Sequence, residues 1–201
     1  MTRMGLVTFL ANDCVDSVAR TSRLSKYALP GGGDYHWAVK KGAEEIFVNE
    51  ASYDEAVSEV MGNMTKSTQR LHSQAALKSL YEWKLSHPGT YVPAPSGNFV
   101  GPKGELIIRL DPSFACVSGG KSTAYVLWLF KELRLTPQVA GMGVHLLQSA
   151  LGVGEHSNWR FALLDVPAGK VFSRTHKNTA SAVEFAVRTQ EELLLSVKKA
   201  A

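Results

Sequence analysis

Residues 105–172 decide the fold, and they read ELIIRLDPSFACVSGGKSTAYVLWLFKELRLTPQVAGMGVHLLQSALGVGEHSNWRFALLDVPAGKVF. Short apolar runs joined by turn residues predict three strands, one helix and two further strands, in that order. The strands are predicted at residues 105–110, 114–117, 124–131, 159–166 and 170–172, and the helix at residues 137–151. The seven consecutive apolar residues at 124–130 are typical of a central strand that is covered on both faces. This segment predicts an α+β protein built on a mixed sheet.

The rest of the chain reads as helical. Helices are predicted at residues 4–11, 14–27, 66–85 and 179–199, with further helices beginning after Asp34 and after Ser52. Ser52 and Glu55 have the spacing of a capping box. A turn is predicted at the triple glycine of residues 30–33, and the Pro/Gly-rich residues 91–98 form the best boundary. We therefore divide the chain into a helical N-terminal segment at 1–90 and a sheet core at 98–201, which we expect to form one compact unit.

The composition is that of an ordinary folded protein and does not indicate disorder. The chain has 201 residues, of which 45% are hydrophobic and 20% are charged, as in ordinary globular proteins. Its net charge of +4 comes from residues 101–201, which contain twelve Lys and Arg residues and eight Asp and Glu residues. A diffuse excess of this size fits nucleic-acid binding and also fits an ordinary soluble protein.

The two cysteines, Cys14 and Cys116, lie far apart and outside any CxxC pair, so neither a disulfide framework nor a zinc site is expected. We expect no secretory leader and no membrane span, because the N-terminal apolar run is short and no long apolar window exists. A cytoplasmic protein in a reducing compartment is the prediction.

The sequence Gly119-Gly120-Lys121-Ser122-Thr123 is the first candidate for chemistry, because it partly matches a phosphate-binding loop. The complete motif needs a glycine where Ala115 stands, and it needs a helix after the lysine rather than a strand. We therefore interpret it as a hairpin tip. The six histidines show no metal-ligand spacing, and no metal site is predicted from them.

The predicted order helix-strand-strand-strand-helix-strand, from residue 66 to residue 166, resembles the core of the PD-(D/E)XK nuclease-like superfamily and covers about half of the chain. In active members, an Asp near the second strand and a Glu-x-Lys on the third bind a divalent metal and activate water. Asp111 matches the first position and Lys131 the lysine, but Leu129 stands where the carboxylate is expected. The resemblance thus implies a degenerate site without metal-dependent cleavage. The layout is also similar to that of bacterial proteins of like length with no assigned function.

Other interpretations stay open for these residues. Asp111 can be a simple turn residue beside Pro112, and Lys131 a strand-end lysine in solvent. A metal-dependent nuclease using Mg²⁺ would need Asp111, Lys131 and a migrated carboxylate. The candidates for that carboxylate are Glu105, Glu82 and Glu132.

A second set of residues fits nucleic acid. The residues beside the triple glycine mix stacking planes with cations, as single-strand binders do: Tyr35, His36, Trp37, Lys40 and Lys41. Lys131 and Arg134 add positive charge after the third strand. Packing at the edge of the core is the alternative role for Trp37.

The leading hypothesis is a non-catalytic binding or regulatory protein that acts on nucleic acid or on a nucleic-acid-handling complex, with no cofactor. A protein–protein interaction module is the remaining alternative.

Overall fold

The computed structural model describes residues 1–28, 34–62 and 64–200. The triple-glycine turn predicted at residues 30–33 lies outside these residues. The helices are α1 (Leu6–Asp13), α2 (Ser17–Ala28), α3 (Trp37–Phe47), α4 (Tyr53–Met61), α5 (Ser67–Ser86), α6 (Pro137–Leu151) and α7 (Thr179–Ala200). The strands are β1 (Thr2–Gly5), β2 (Thr90–Val92), β3 (Gly97–Val100), β4 (Leu106–Leu110), β5 (Phe114–Ser118), β6 (Lys121–Trp128), β7 (Arg160–Asp165) and β8 (Lys170–Phe172). The predicted α+β class is confirmed.

The larger sheet has five strands in the order β2-β5-β6-β7-β8. β5 and β6 form an antiparallel hairpin, and β6 and β7 are parallel because α6 carries the chain back between them. At the hairpin tip, Gly119 and Gly120 have φ angles of 56° and 72°, which only glycine adopts without strain. The interpretation of this sequence as a hairpin tip rather than a phosphate-binding loop is confirmed.

The smaller sheet has three strands in the order β1-β4-β3. The expected single mixed sheet is therefore two sheets, and the strand predicted at 105–110 does not pair with the hairpin that follows it. The chain turns at Asp111 and Pro112, and both edges of β4 are taken by β1 and β3. β1 also corrects the predicted start of the first helix, since Thr2–Gly5 is extended and pairs with a strand about a hundred residues later.

The order helix-strand-strand-strand-helix-strand is present in the larger sheet, but its first strand was misplaced. It runs through α5, β2, β5, β6, α6 and β7, so the first strand is Thr90–Val92 rather than 105–110. The Pro/Gly-rich residues predicted as a boundary thus carry β2 and the start of β3, each of which joins a different sheet. β3 and β4 are inserted between the first two strands of this order.

Helices cover both faces of the larger sheet. On one face α3, α4 and α5 pack on Leu127, Leu129 and Leu164, and on the other α1, α6 and α7 pack on Val126 and Trp128. Successive residues of β6 point to opposite faces, so an uninterrupted apolar run is what a doubly covered strand needs. The predicted central strand is confirmed as one covered on both faces, although it runs over Lys121–Trp128 rather than over residues 124–131.

The N-terminal segment contributes to both of these cores. β1, α1 and α2 lie with the smaller sheet, α6 and α7, whereas α3, α4 and α5 lie on the opposite face. The predicted segments 1–90 and 98–201 thus share both cores. Among the described residues, no helix combines the length and apolar character needed to cross a membrane.

Local signals set the helix boundaries well. Ser52 accepts a hydrogen bond from the Glu55 amide while Glu55 accepts one from the Ser52 amide, which is the predicted capping box. Thr136 caps α6. α3 differs from prediction because it begins at Trp37, and the Asp34 carboxylate instead accepts the His36 amide in the preceding turn. This turn brings Asp34 to the site described below.

A buried carboxylate ties α7 to the smaller sheet. Glu191 is fully buried, and its oxygens accept hydrogen bonds from the backbone amides of Lys103, Glu105 and Leu106 at 3.1–3.4 Å. A Cβ atom at Gly101 would overlap this carboxylate. The turn between β3 and β4 is therefore held by a charge from the last helix.

Candidate functional site

A cavity of about 490 Å³ lies between the smaller sheet, the end of β6 and the start of α3. The alternation of side chains along β4 explains which of its residues line this cavity. Leu106, Ile108 and Leu110 of β4 point into the core, so Ile107 and Arg109 point the other way and line the cavity. Arg3 of β1 lies in the same wall, next to Ile107 in the strand register.

Lys40 connects two carboxylates at one side of the cavity. Its Nζ atom lies 2.8 Å from Oδ2 of Asp34 and 3.9 Å from Oδ2 of Asp111. The Nε atom of Arg109 lies 3.0 Å from the same Asp111 oxygen. Burial raises the pKa of Asp34, but the hydrogen bond and charge of Lys40 and the amide of His36 outweigh burial and leave the pKa below its ordinary value.

The charges in the cavity wall do not cancel. Arg3, Lys40 and Arg109 supply three positive charges, and Asp34 and Asp111 supply two negative charges. The side chain of Arg109 is 57% exposed, so its guanidinium can reach a ligand while it holds Asp111. A net positive, concave surface favours an anionic ligand.

Aromatic rings form the opposite wall. His36 packs edge-on against Tyr35 and Phe130, with ring centroids 5.1 and 5.3 Å apart, and its ring lies 5.7 Å from that of His72. Tyr35, His36 and Phe130 line the cavity. Tyr35 is 48% exposed, so part of its ring is open to a ligand.

His36 is neutral at physiological pH. Burial is the main cause that lowers its pKa to about 4; Asp34 opposes the shift, and His72 and Lys40 add to it. Burial and the charge of Lys131 also lower the pKa of His72. The Nδ1 atoms of both rings are buried and have no hydrogen-bond partner within the described part of the chain. A neutral imidazole with an unused nitrogen is suited to stacking and hydrogen bonding rather than to binding phosphate.

A second, shallower cavity of about 320 Å³ lies beyond Lys40 and Asp111. These two residues and Ser113 line both cavities, so the two spaces share one wall. Lys41 and Glu44 of α3 supply the charges that belong to the second cavity alone. Its apolar surface comes from Val48, Pro93, Ala94 and Pro112.

The structure brings some predicted site residues together and separates others. Lys40 and Asp111, predicted for different reasons, meet in one cavity. Glu105 is held by Lys198 at 2.6 Å at the opposite end of β4, six residues and roughly 20 Å from Asp111 at the usual strand rise. Glu105 therefore does not share a site with Asp111.

Lys131 is not at a strand end, because β6 stops at Trp128 and the following loop curls back. The Trp128 indole donates to the Leu133 carbonyl in that loop at 3.0 Å. Lys131, Glu132 and Arg134 are exposed in this loop, and Lys131 is close enough to His72 to affect its pKa. The loop thus adds positive charge beside the aromatic wall.

Of the other predicted residues, only Lys41 lines a cavity. Trp37 is 37% exposed at the start of α3, and Lys41 is paired with Glu59 at 2.6 Å. Glu82 is exposed on α5. Neither Trp37 nor Glu82 is among the residues that line the two cavities.

The donor set does not fit a divalent cation. The described residues contain no cluster of three or more His, Cys, Asp or Glu side chains that could hold a metal ion. Asp34 and Asp111 are already paired with Lys40 and Arg109, and the cavity carries Leu129 where the resemblance expects a third ligand. A hard cation needs several oxygen ligands, so this geometry favours an anion instead.

Sequence reasoning missed Arg3, Asp34 and Arg109 as site residues. Arg109 carried a usable signal, because it interrupts an otherwise apolar strand whose other face is buried. Arg3 carried none, since it lay outside every predicted element and only the end of β1 fell within the helix predicted at residues 4–11.

No protein-family model matches this sequence, no curated protein matches it, and no solved structure matches it. The functional interpretation therefore depends on the geometry of the cavity.

Proposed function

We propose that this protein is a non-catalytic nucleic-acid-binding protein and that the larger cavity is its binding site. The observation that carries the proposal is a concave site in which three cations, Arg3, Lys40 and Arg109, face a wall of aromatic rings. Nucleic acids are one common class of biological ligand that presents phosphate and flat bases together.

The cations suit phosphate oxygens. The guanidinium groups of Arg3 and Arg109 lie on neighbouring strands of one sheet face, and a guanidinium offers paired donors that match phosphate geometry. Lys40 adds a point charge from α3. The exposed Lys131 and Arg134 extend the positive surface past the aromatic wall.

The aromatic wall suits a base. Tyr35 is half exposed, and Phe130 and the neutral His36 lie behind it. Stacking of a base on such rings contributes about 1–3 kcal/mol and tolerates any sequence.

The resemblance to the PD-(D/E)XK nuclease-like core supports the same proposal. Asp111 directly precedes the second strand of the order α5-β2-β5-β6-α6-β7, where that family carries an acidic residue. Leu129, rather than a carboxylate, lines the cavity from the third strand's end. On this proposal a nuclease-like scaffold binds nucleic acid without cutting it, in a cytoplasmic setting where both cysteines stay free thiols.

Fluorescence anisotropy with labelled single- and double-stranded DNA and RNA tests the proposal, at about 50 and about 200 mM salt. We expect binding that weakens at the higher salt. Lys40→Gln and Arg109→Gln should each lower affinity by about tenfold, because each removes a phosphate contact. Lys121→Gln, at the hairpin tip and outside the cavity, is the matched control and should change little.

Equal loss of affinity in all three variants would place binding elsewhere on the surface. Absence of salt-sensitive binding to every nucleic acid would refute the proposal. Incubation of the same substrates with Mg²⁺ or Mn²⁺ examines the nuclease alternative, which predicts cleavage that Asp111→Ala abolishes.

A further inference from the structure

The two cavities meet at Lys40 and Asp111, and this junction limits the kind of ligand that fits. Lys40, Asp111 and Ser113 belong to both walls, so a ligand leaving the larger cavity past Lys40 enters the smaller one. The larger cavity has the aromatic rings, whereas the smaller has an apolar floor that includes Pro93, Ala94 and Pro112. Both spaces offer surfaces on which a flat base can pack.

We propose that the ligand is a single strand of nucleic acid, with two consecutive nucleotides in the two cavities and their linking phosphate at Lys40. This inference rests on the proposed function and specifies its substrate. A single nucleotide would occupy the larger cavity alone. DNA and RNA share the phosphate and base chemistry on which the inference depends.

The contacts of Lys40 suit it to the linking phosphate. Its ammonium is hydrogen-bonded to Asp34 at 2.8 Å, but its 3.9 Å approach to Asp111 is longer than a hydrogen bond. A phosphate at the junction can therefore approach the ammonium while the contact with Asp34 is kept. Arg109, which also contacts Asp111, lies on the larger-cavity side of the same junction.

The shape of the site favours a single strand over a duplex. The aromatic rings line a concave space of about 490 Å³, so a base must leave its stack to reach them. Bases of a single strand are free to do this, and stacking platforms of this kind are how single strands are bound without sequence preference. A duplex would have to break base pairs first.

The charges of the smaller cavity allow a selective test. Glu44 is exposed and lines the smaller cavity but not the larger one. Lys41 lines the same cavity and is held by Glu59 at 2.6 Å. Glu44→Gln removes a charge that repels phosphate, and Lys41→Gln removes one that attracts it. Both changes should affect only a ligand that extends past Lys40.

The experiment measures competition by unlabelled oligothymidylates and oligouridylates of one, two, four and eight nucleotides against a labelled single strand. From one to two nucleotides we expect affinity to rise about tenfold, since a second base and a shared phosphate are added. Further length should add little. For the dinucleotide, Glu44→Gln should raise affinity about threefold and Lys41→Gln should lower it about threefold, with the nucleoside monophosphate unaffected.

Glu82→Gln, on α5 and outside both cavities, controls for a general change of charge and should leave all ligands unchanged. Equal affinities for one and two nucleotides would overturn the inference while leaving nucleic-acid binding in the larger cavity intact. A duplex that competes better than a single strand would also overturn it. No competition by any of these ligands, together with no binding of the labelled strand, refutes the proposed function itself.

Discussion

The Nζ atom of Lys40, on α3, lies 3.9 Å from Oδ2 of Asp111, at the end of β4. This contact joins the helical layer on one face of the larger sheet to the end of the central strand of the smaller sheet. It also separates the two cavities. The ammonium group of Lys40 therefore contacts the smaller sheet and also lines both cavities. A ligand can approach it from either cavity.

Neutralising Asp111 should strengthen nucleic-acid binding. Asp111→Asn raises the net charge of the larger cavity from one to two positive charges, because Arg109 and Lys40 keep their charge. We expect affinity for single strands to rise about threefold to tenfold at low salt, as measured by anisotropy. A metal-dependent nuclease predicts the opposite result, loss of metal-dependent activity. Glu155→Gln, which removes a distant exposed charge, should have no such effect.

The pKa of His36 predicts that acid destabilises the fold. Its pKa falls from an ordinary 6.5 to about 4 on folding, because the ring is buried. Between these values the unfolded chain binds a proton that the folded chain does not, so stability is present above pH 6.5 and is lost as the pH falls towards 4. His72, whose pKa is also lowered, acts in the same direction. Asp34, with its pKa lowered, adds a further loss at still lower pH.

Urea unfolding, measured between pH 7.5 and pH 4.5 in steps of about one pH unit, tests this expectation. For His36, the slope should approach about 1.4 kcal/mol per pH unit within the window. His36→Phe, which keeps an aromatic ring, should flatten the curve. An unaltered slope in His36→Phe would contradict the assignment.

Removing the buried carboxylate of Glu191 should be costly. Glu191→Ala leaves the amides of Lys103, Glu105 and Leu106 without their acceptor in a buried turn. The free energy of unfolding should fall by about 3 kcal/mol or more. Glu192→Ala is a matched control, because the neighbouring Glu192 is exposed and contacts only the Lys103 side chain among the described residues. The control should cost less than about 1 kcal/mol.

The ring of Phe114 should contribute strongly to the stability of the core beneath α3. It is fully buried and stacks on Phe47 at a centroid distance of 3.7 Å, with Tyr125 on another side at 5.3 Å. Phe114→Ala should lower the free energy of unfolding by about 3–5 kcal/mol in urea titrations. Phe185→Ala, at a position that is 70% exposed on α7, should change it by less than about 0.5 kcal/mol. Similar costs for the two variants would be inconsistent with this packing.

Elements with strong local signals were predictable from sequence. Thr136 and Pro137 set the start of α6, and the glycine pair at 119–120 set the hairpin. β1 was missed because four residues carry no period of their own, and only pairing with β4 makes them a strand. The division into two sheets was missed for the same reason. Strand pairing depends on contacts between residues that are far apart in the sequence.

Prediction of the site from sequence was limited in the same way, by contacts between distant residues. Asp111 and Lys40 were each identified from a local pattern, but nothing local indicates that residues seventy positions apart meet. Glu105 was a candidate for a further carboxylate beside Asp111, but the two residues lie at opposite ends of β4. Arg3 became a site residue through the pairing of β1 with β4, which a single sequence does not reveal.

The carboxylate of Glu191 has a consequence for how the chain is made. During synthesis, the turn between β3 and β4 leaves the ribosome well before the residue that holds its amides. Until α7 emerges, those amides have only water as a partner, and the nascent protein lacks the tie that holds this turn. The smaller sheet, and with it one wall of the larger cavity, is thus expected to mature only after α7 has been synthesised.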